Sequence, residues 1–103
     1  MVALADIQAY ADEIARRFKP QQIILFGSHA DGEPDEHSDV DLLVVMPDRG
    51  DPIERAVEIR CAVPRCFSLD LIVRSPEDLH WRLAENDCFT REIVEKGQIL
   101  YEA

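Results

Sequence analysis

Positive charge is scarce in this chain. Eleven lysines and arginines stand against 21 acids, for a net charge of −10 and a pI of about 4.6. That balance argues against a broad electrostatic grip on nucleic acid, and no stripe of aromatic and basic residues points to nucleic-acid reading. A metal cation, a basic protein partner or plain solubility suits it better. The three cysteines, Cys61, Cys66 and Cys88, are odd in number and include no CxxC pair. They read as free thiols in a reducing compartment, packed in or near the core, and no Cys or His spacing matches a zinc site. The N-terminus, MVALADIQAYADEIARRF, carries early acids and no long apolar run. It reads as neither a signal peptide nor a membrane span, which predicts a cytoplasmic protein. Repeats, low-complexity tracts and linkers are also missing.

What remains is a chain of 103 residues that is 47% apolar, enough for one domain, 1–103, with a real core. Its charges are interleaved with dense apolar runs, unlike those of a disordered acidic chain. Leu4, Ile7, Ala11, Ile14 and Phe18 fall at helical spacing, with Asp6 near the start, Arg16 and Arg17 near the end and Pro20 as a stop. Gln22 to Phe26 (QIILF) reads as a buried strand ended by Gly27, and Val40 to Met46 (VDLLVVM) as a second, closed by Pro47 and the turn-rich Asp48-Arg49-Gly50-Asp51-Pro52. A helical stretch over Ile53 to Val63 follows, with Pro52 suited to its first turn.

Phe67 to Val73 (FSLDLIV) reads as a third strand. Ser75-Pro76-Glu77-Asp78 caps a helix that breaks near Asn86-Asp87. A last helix spans about Cys88 to Lys96 with Gly97 as its stop, and Ile99-Leu100-Tyr101 adds a short strand. The expectation is an α/β (α+β) domain, a small mixed sheet flanked by helices. Spacing assigns Trp81, Phe89 and Tyr101 mostly to the core, beside Leu79, Leu83, Ile93 and Val94. Trp81, between His80 and Arg82, could instead face a partner.

The informative stretch is Leu25 to Val45, LFGSHADGEPDEHSDVDLLVV. Asp39 and Asp41 lie two apart at the entrance of a buried strand, so they share one face, about 6–7 Å apart along it. Burying like charges together is costly unless a cation neutralises them. Hard cations such as Mg²⁺ take carboxylate oxygens plus substrate phosphates. Asp70 repeats the arrangement inside the third strand, where a neighbouring strand could bring it against the pair. Three such carboxylates can hold two metals about 3.5–4 Å apart, the geometry for in-line phosphoryl or nucleotidyl transfer. Exposed strand-end acids on an acidic protein are the plainer reading. Gly27-Ser28 shifts the balance: glycine permits a sharp turn and a close approach to a ligand, and the serine hydroxyl and following amides can grip phosphate. The acid-rich loop Asp31 to Asp39 lacks the glycine and terminal glutamate of an EF-hand, and His37 is a poorly placed metal ligand. Ser38 either steadies the Asp39 backbone or is only a turn residue.

Leu25-Phe26-Gly27-Ser28, then Gly32, then Ser38-Asp39-Val40-Asp41-Leu42-Leu43-Val44 resembles the minimal nucleotidyltransferases of the polymerase-β-like superfamily. These are small proteins often encoded beside HEPN-domain toxins. The resemblance spans nearly the whole chain and implies the nucleotidyltransferase fold. It also implies that Gly27 and Ser28 hold the triphosphate of an NTP, that Asp39 and Asp41 carry divalent metals, and that Asp70 is the third carboxylate, sharing a metal and orienting or deprotonating the attacking hydroxyl. The implied function is a Mg²⁺-dependent nucleotidyltransferase that passes an NMP, AMP from ATP, to a hydroxyl on a HEPN-type toxin and so acts as an antitoxin. Acceptor presentation by a partner, or by homo- or hetero-oligomerisation, follows from the small size, with no membrane and no direct nucleic-acid binding.

Where relatives carry basic residues after the Gly-Ser turn, this chain has His29 and Asp31. Compensation could come from Arg49, Arg65 or Arg74, and His29 reads more as a solvated turn residue than as a phosphate contact or base. Two other readings stay open: a binding protein that neutralises a basic partner by masking it, and a regulatory subunit that senses nucleotide without turnover.

Overall fold

The computed structural model describes residues 2–35, 37–47, 50–65 and 67–103. Helix α1 (Leu4–Phe18) buries Ile7, Tyr10, Ala11, Ile14 and Ala15. These lie at i, i+3, i+4, i+7 and i+8, one stripe of a 3.6-residue helix. It ends where Lys19 turns left-handed (φ 51°) before Pro20. Strand β1 (Gln22–Phe26) follows, then the single turn of α2 (Ser28–Asp31), strand β2 (Val40–Val45) and helix α3 (Pro52–Ala62). Asp51 caps α3 by accepting from the Ile53 amide at 2.9 Å, with Pro52 in the first turn. Strand β3 (Leu69–Arg74) leads to α4 (Pro76–Ala84), whose Ser75 cap accepts from the Asp78 amide at 3.0 Å. The helical run breaks at Asn86 (φ 59°), and α5 (Cys88–Lys96) and β4 (Gln98–Glu102) complete the chain.

The four strands form one mixed sheet in the order β3-β2-β1-β4. Strand β1 is antiparallel to both β2 and β4, whereas β2 and β3 run parallel. One face packs Ile23, Leu25, Leu42, Val44, Leu71 and Val73 against α1, Ile59 of α3 and Val63 just after it. The other packs Ile24, Leu43 and Val45 against Ile93 of α5 and Leu79 of α4. With helices on both faces, β2 is apolar along nearly its whole length, as a strand buried on both sides requires. The expected mixed sheet flanked by helices is the observed fold, and no helix among the described residues is long and apolar enough to cross a membrane.

Several details differ from the sequence reading. Strand β3 begins at Leu69 rather than Phe67, because Phe67 stacks edge-on against Tyr10 of α1, with centroids 5.4 Å apart. Gly97 ends α5 in an extended conformation, φ −71°. It is glycine for room: a Cβ there would meet the Ile93 carbonyl oxygen at 2.4 Å and Ile24 Cγ2 at 2.5 Å. Cys61 and Cys88 are exposed rather than packed in the core, since each lies off its helix's buried stripe; Cys66 is outside the described residues. Trp81 (59% exposed), Phe89 (51%) and Val94 (42%) are likewise surface residues. Short helices α4 and α5 cover only part of their sheet face, so spacing alone overstated their burial.

Candidate active site

The strand register sets the geometry. In the parallel β2–β3 pairing Asp41 stands opposite Asp70, and in the antiparallel β1–β2 pairing it stands opposite Phe26. Alternation puts Asp41 on the same side as Leu43 and Val45, and Asp70 on the same side as Ile72. All five lie on the sheet face that α5 covers. Asp39 precedes β2 and is exposed; Asp41 is half-buried; Asp70 is exposed on an edge strand.

Gly27 fixes the turn out of β1. Its backbone (φ 77°, ψ −154°) belongs to glycine, and an added Cβ would lie 2.2 Å from Asp41 Oδ2. The turn backbone is therefore laid directly against a carboxylate. Half-buried Ser28 opens α2, and the Ala30 and Asp31 amides donate back to the Gly27 carbonyl at 3.0 Å. Gln98 Nε2 donates to the Ala30 carbonyl at 2.9 Å, tying β4 to this turn.

Between the turn, the strand ends and α5 lies a cavity of about 300 Å³. Gly27, Asp41 and Asp70 line it from the sheet side, and Phe89, Ile93 and Lys96 line it from α5. Among the described residues, neither Ser28 nor Asp39 lines it. Asp31 does, so its carboxylate stands at the cavity mouth rather than in bulk water alone. The contribution of α5 was missed because Phe89 and Ile93 at helical spacing read as core; what would have found it is the lysine continuing the same stripe.

Burial pushes the Asp41 carboxyl above the ordinary aspartate value, and the charges of Asp70 and Asp39 push it further; nearby His29 opposes them. His29 is drawn inward rather than solvated, since its Nε2 is buried and, among the described residues, has no hydrogen-bond partner.

Two of the arginines proposed to offset Asp31 point elsewhere. Arg74 pairs with Val45 at the far end of β3 and reaches Asp78 at 3.4 Å. Arg65 lies beside Tyr10 and Phe67, against α1 on the opposite face. Arg49 is outside the described residues. His37 is exposed, its amide donating to Asp35 Oδ1, and Ser38 steadies that acidic turn through Asp35 rather than through Asp39.

Among the described residues no three Asp, Glu, His or Cys side chains converge into a finished cation cage. The donor chemistry nonetheless fits a hard divalent cation. Asp39, Asp41 and Asp70 offer carboxylate oxygens only, and their crowding raises the Asp41 pKa in the way an added cation would relieve. Acids aligned across parallel strands, beside a glycine turn and an open cavity, form an arrangement compatible with phosphoryl-transfer chemistry.

The comparisons make the class specific. Residues 7–100 match the Nucleotidyltransferase domain family, and the chain belongs to that family. A protein of Methanocaldococcus jannaschii, provisionally named a protein adenylyltransferase, is 34% identical over 93 residues, 82% of each chain. A crystal structure from Sulfolobus solfataricus, provisionally assigned as a nucleotidyltransferase, has a TM-score of 0.65 at 20% identity over 96% of this chain and 79% of that one. A toxin–antitoxin solved with AMP-PNP has a TM-score of 0.63 at 24% identity, over 93% of this chain and 73% of that one. At such identities the two crystal structures speak to shared fold.

Proposed function

We propose that this nucleotidyltransferase is a Mg²⁺-dependent protein adenylyltransferase. It moves AMP from ATP to a hydroxyl of a partner toxin of the HEPN type, and so works as a cytoplasmic antitoxin. The observation that carries the reading is the alignment of Asp41 with Asp70 across parallel strands, facing the cavity beside the Gly27 turn. The relative named for protein adenylyl transfer and the shared fold with a toxin–antitoxin structure support the choice of acceptor.

Asp39 and Asp41, with Asp70, would hold the divalent metal, which supplies charge neutralisation for the phosphates and the leaving pyrophosphate. The turn at Gly27 and Ser28 would hold the triphosphate, with no side chain at Gly27 to obstruct its approach. Asp70, exposed at the cavity, accepts the proton of the attacking hydroxyl. The acceptor oxygen bonds to the α-phosphorus, the bond from that phosphorus to the bridging α–β oxygen breaks, and pyrophosphate leaves. Rigid strands hold the carboxylates more accurately than loops would.

The test is transfer of label from α-labelled ATP, with Mg²⁺, to the protein encoded beside this one. Label on that partner, lost in the double variant Asp39→Asn/Asp41→Asn, is expected. The net charge of −10 favours a second reading, masking of a basic partner; a tight complex with no label anywhere, and protection that survives the double variant, would establish masking instead.

A further inference from the structure

Helix α5 presents Phe89, Glu92, Ile93 and Lys96 to the cavity that Asp41 and Asp70 line. These residues lie at i, i+3, i+4 and i+7, a single helical stripe whose ends are about 10 Å apart along the axis. The ends differ in chemistry. At one, the Phe89 ring is 51% exposed and stands edge-on against Phe26, with centroids 5.7 Å apart. Phe26 is the strand partner of Asp41. At the other end, Lys96 is exposed and pairs with Glu92 at 3.8 Å on the helix surface. Lys96 is the one lysine or arginine among the described residues that line this cavity, where Asp31, Asp41, Asp70 and Glu92 are all acidic.

An exposed aromatic face gains nothing from water, and its position in a cavity wall offers a planar ligand a stacking surface. A lysine among four acids is a placed counter-charge, and its exposed pairing with Glu92 is weak enough to yield to a stronger anion. An aromatic platform and an ammonium about 10 Å apart match the two ends of a nucleoside triphosphate. We infer that α5 is the nucleotide-recognition wall of the site: Phe89 stacks on the base and Lys96 takes a terminal phosphate, which selects purine nucleoside triphosphates. A purine offers the larger face to the ring, so the stacking end discriminates by base size while the lysine end counts phosphates.

This inference rests on the nucleotidyltransferase reading of the cavity, and the experiment separates the two. Binding of AMP-PNP with Mg²⁺ would be measured by calorimetry for the wild-type chain, Phe89→Ala, Phe89→Trp and Lys96→Ala. AMP and the pyrimidine counterpart UMP-PNP serve as comparison ligands. Lys96 is exposed and Phe89 gives up only its edge contact with Phe26, so circular dichroism is expected to stay unchanged and the melting temperature to fall slightly in Phe89→Ala alone. Loss of a base-stacking side chain weakens binding roughly tenfold or more. Phe89→Ala is therefore expected to lose about that much affinity for AMP-PNP and to level the difference between AMP-PNP and UMP-PNP. Phe89→Trp should retain both. Lys96→Ala should weaken AMP-PNP far more than AMP. Wild-type binding with unaltered affinities and base preference in Phe89→Ala and Lys96→Ala overturns the assignment of α5 and leaves the proposed function standing. A wild-type chain that binds no nucleotide overturns both.

Discussion

Asp41 stands directly across from Asp70 in the parallel register of β2 and β3, with Asp39 two residues upstream and near enough for its charge to act on Asp41. Burial and two like-charged neighbours oppose the ionised form of Asp41. Neutralising it removes that cost. Asp41→Asn is therefore expected to raise the melting temperature of the metal-free protein at neutral pH while abolishing nucleotidyl transfer. Differential scanning calorimetry in EDTA, beside a transfer assay in Mg²⁺, checks both halves. A lowered melting temperature would mean that the carboxylate is held by favourable contacts rather than by the shape of the sheet.

Gly27→Ala is expected to do the opposite on stability. Its backbone conformation costs a non-glycine residue about 1–3 kcal/mol, and the new methyl would collide with Asp41 Oδ2. Denaturant unfolding should show a loss of that order, and activity should fall more steeply because the displaced group is a proposed metal ligand. Asp41→Asn would relieve only the charge and not the collision, so the double variant should be less stable than Asp41→Asn alone.

The pH dependence of α5 can be predicted from its first turn. The Thr90 hydroxyl, itself buried, donates to the Asp87 carboxylate. That bond, with help from backbone amides and Arg82, holds the Asp87 pKa below the ordinary aspartate value. A depressed carboxyl stabilises the fold above its unfolded pKa, about 3.9, and the gain is lost as pH falls through the folded value. Thr90→Val should therefore be less stable than wild type at neutral pH, with the gap closing below about pH 4. Urea unfolding of the two proteins from pH 7 down to pH 3 would show it; a pH-independent gap would assign the loss to packing.

Gly97→Ala tests how closely α5 is seated. The added methyl would meet the Ile93 carbonyl and Leu25 carbonyl oxygens at 2.4 and 3.0 Å, and backbone atoms cannot rotate away. Overpacking of this kind costs about 1–3 kcal/mol. Because Lys96 and Gly97 both line the cavity, nucleotide affinity should fall with stability, read by thermal melting with and without AMP-PNP.

Much of this arrangement was legible in the residues. The stripe from Ile7 to Ile14 gave α1, the apolar runs before Gly27 and after Asp39 gave two strands, and Ser75-Pro76 marked a capped helix start. Asp70 stood out as an in-strand acid that a neighbouring strand could bring against the pair, but that it comes level with Asp41 rests on β3 starting at Leu69 and running parallel to β2. What stayed hidden depends on sheet topology. Phe89 and Ile93 repeat at core spacing, and only the order β3-β2-β1-β4 shows that α5 overhangs the acids rather than sealing a core. The aim of Arg74 was equally unreadable, because a residue at the far end of a strand is carried away from the site by the strand's length. The exposure of Cys61 and Cys88 reflects how little of each short helix the sheet covers.

The site is also ordered in time. Its aligned pair, Asp41 and Asp70, is complete once residue 70 has been synthesised, yet the wall bearing Phe89 and Lys96 arrives some twenty residues later, followed by β4, whose pairing with β1 and link from Gln98 to Ala30 steady the turn. A nascent chain paused between those points would carry the acids on an open sheet, with no enclosing wall. Competence for nucleotide would then appear in one late step, making ligand binding a sensitive report that synthesis has passed α5.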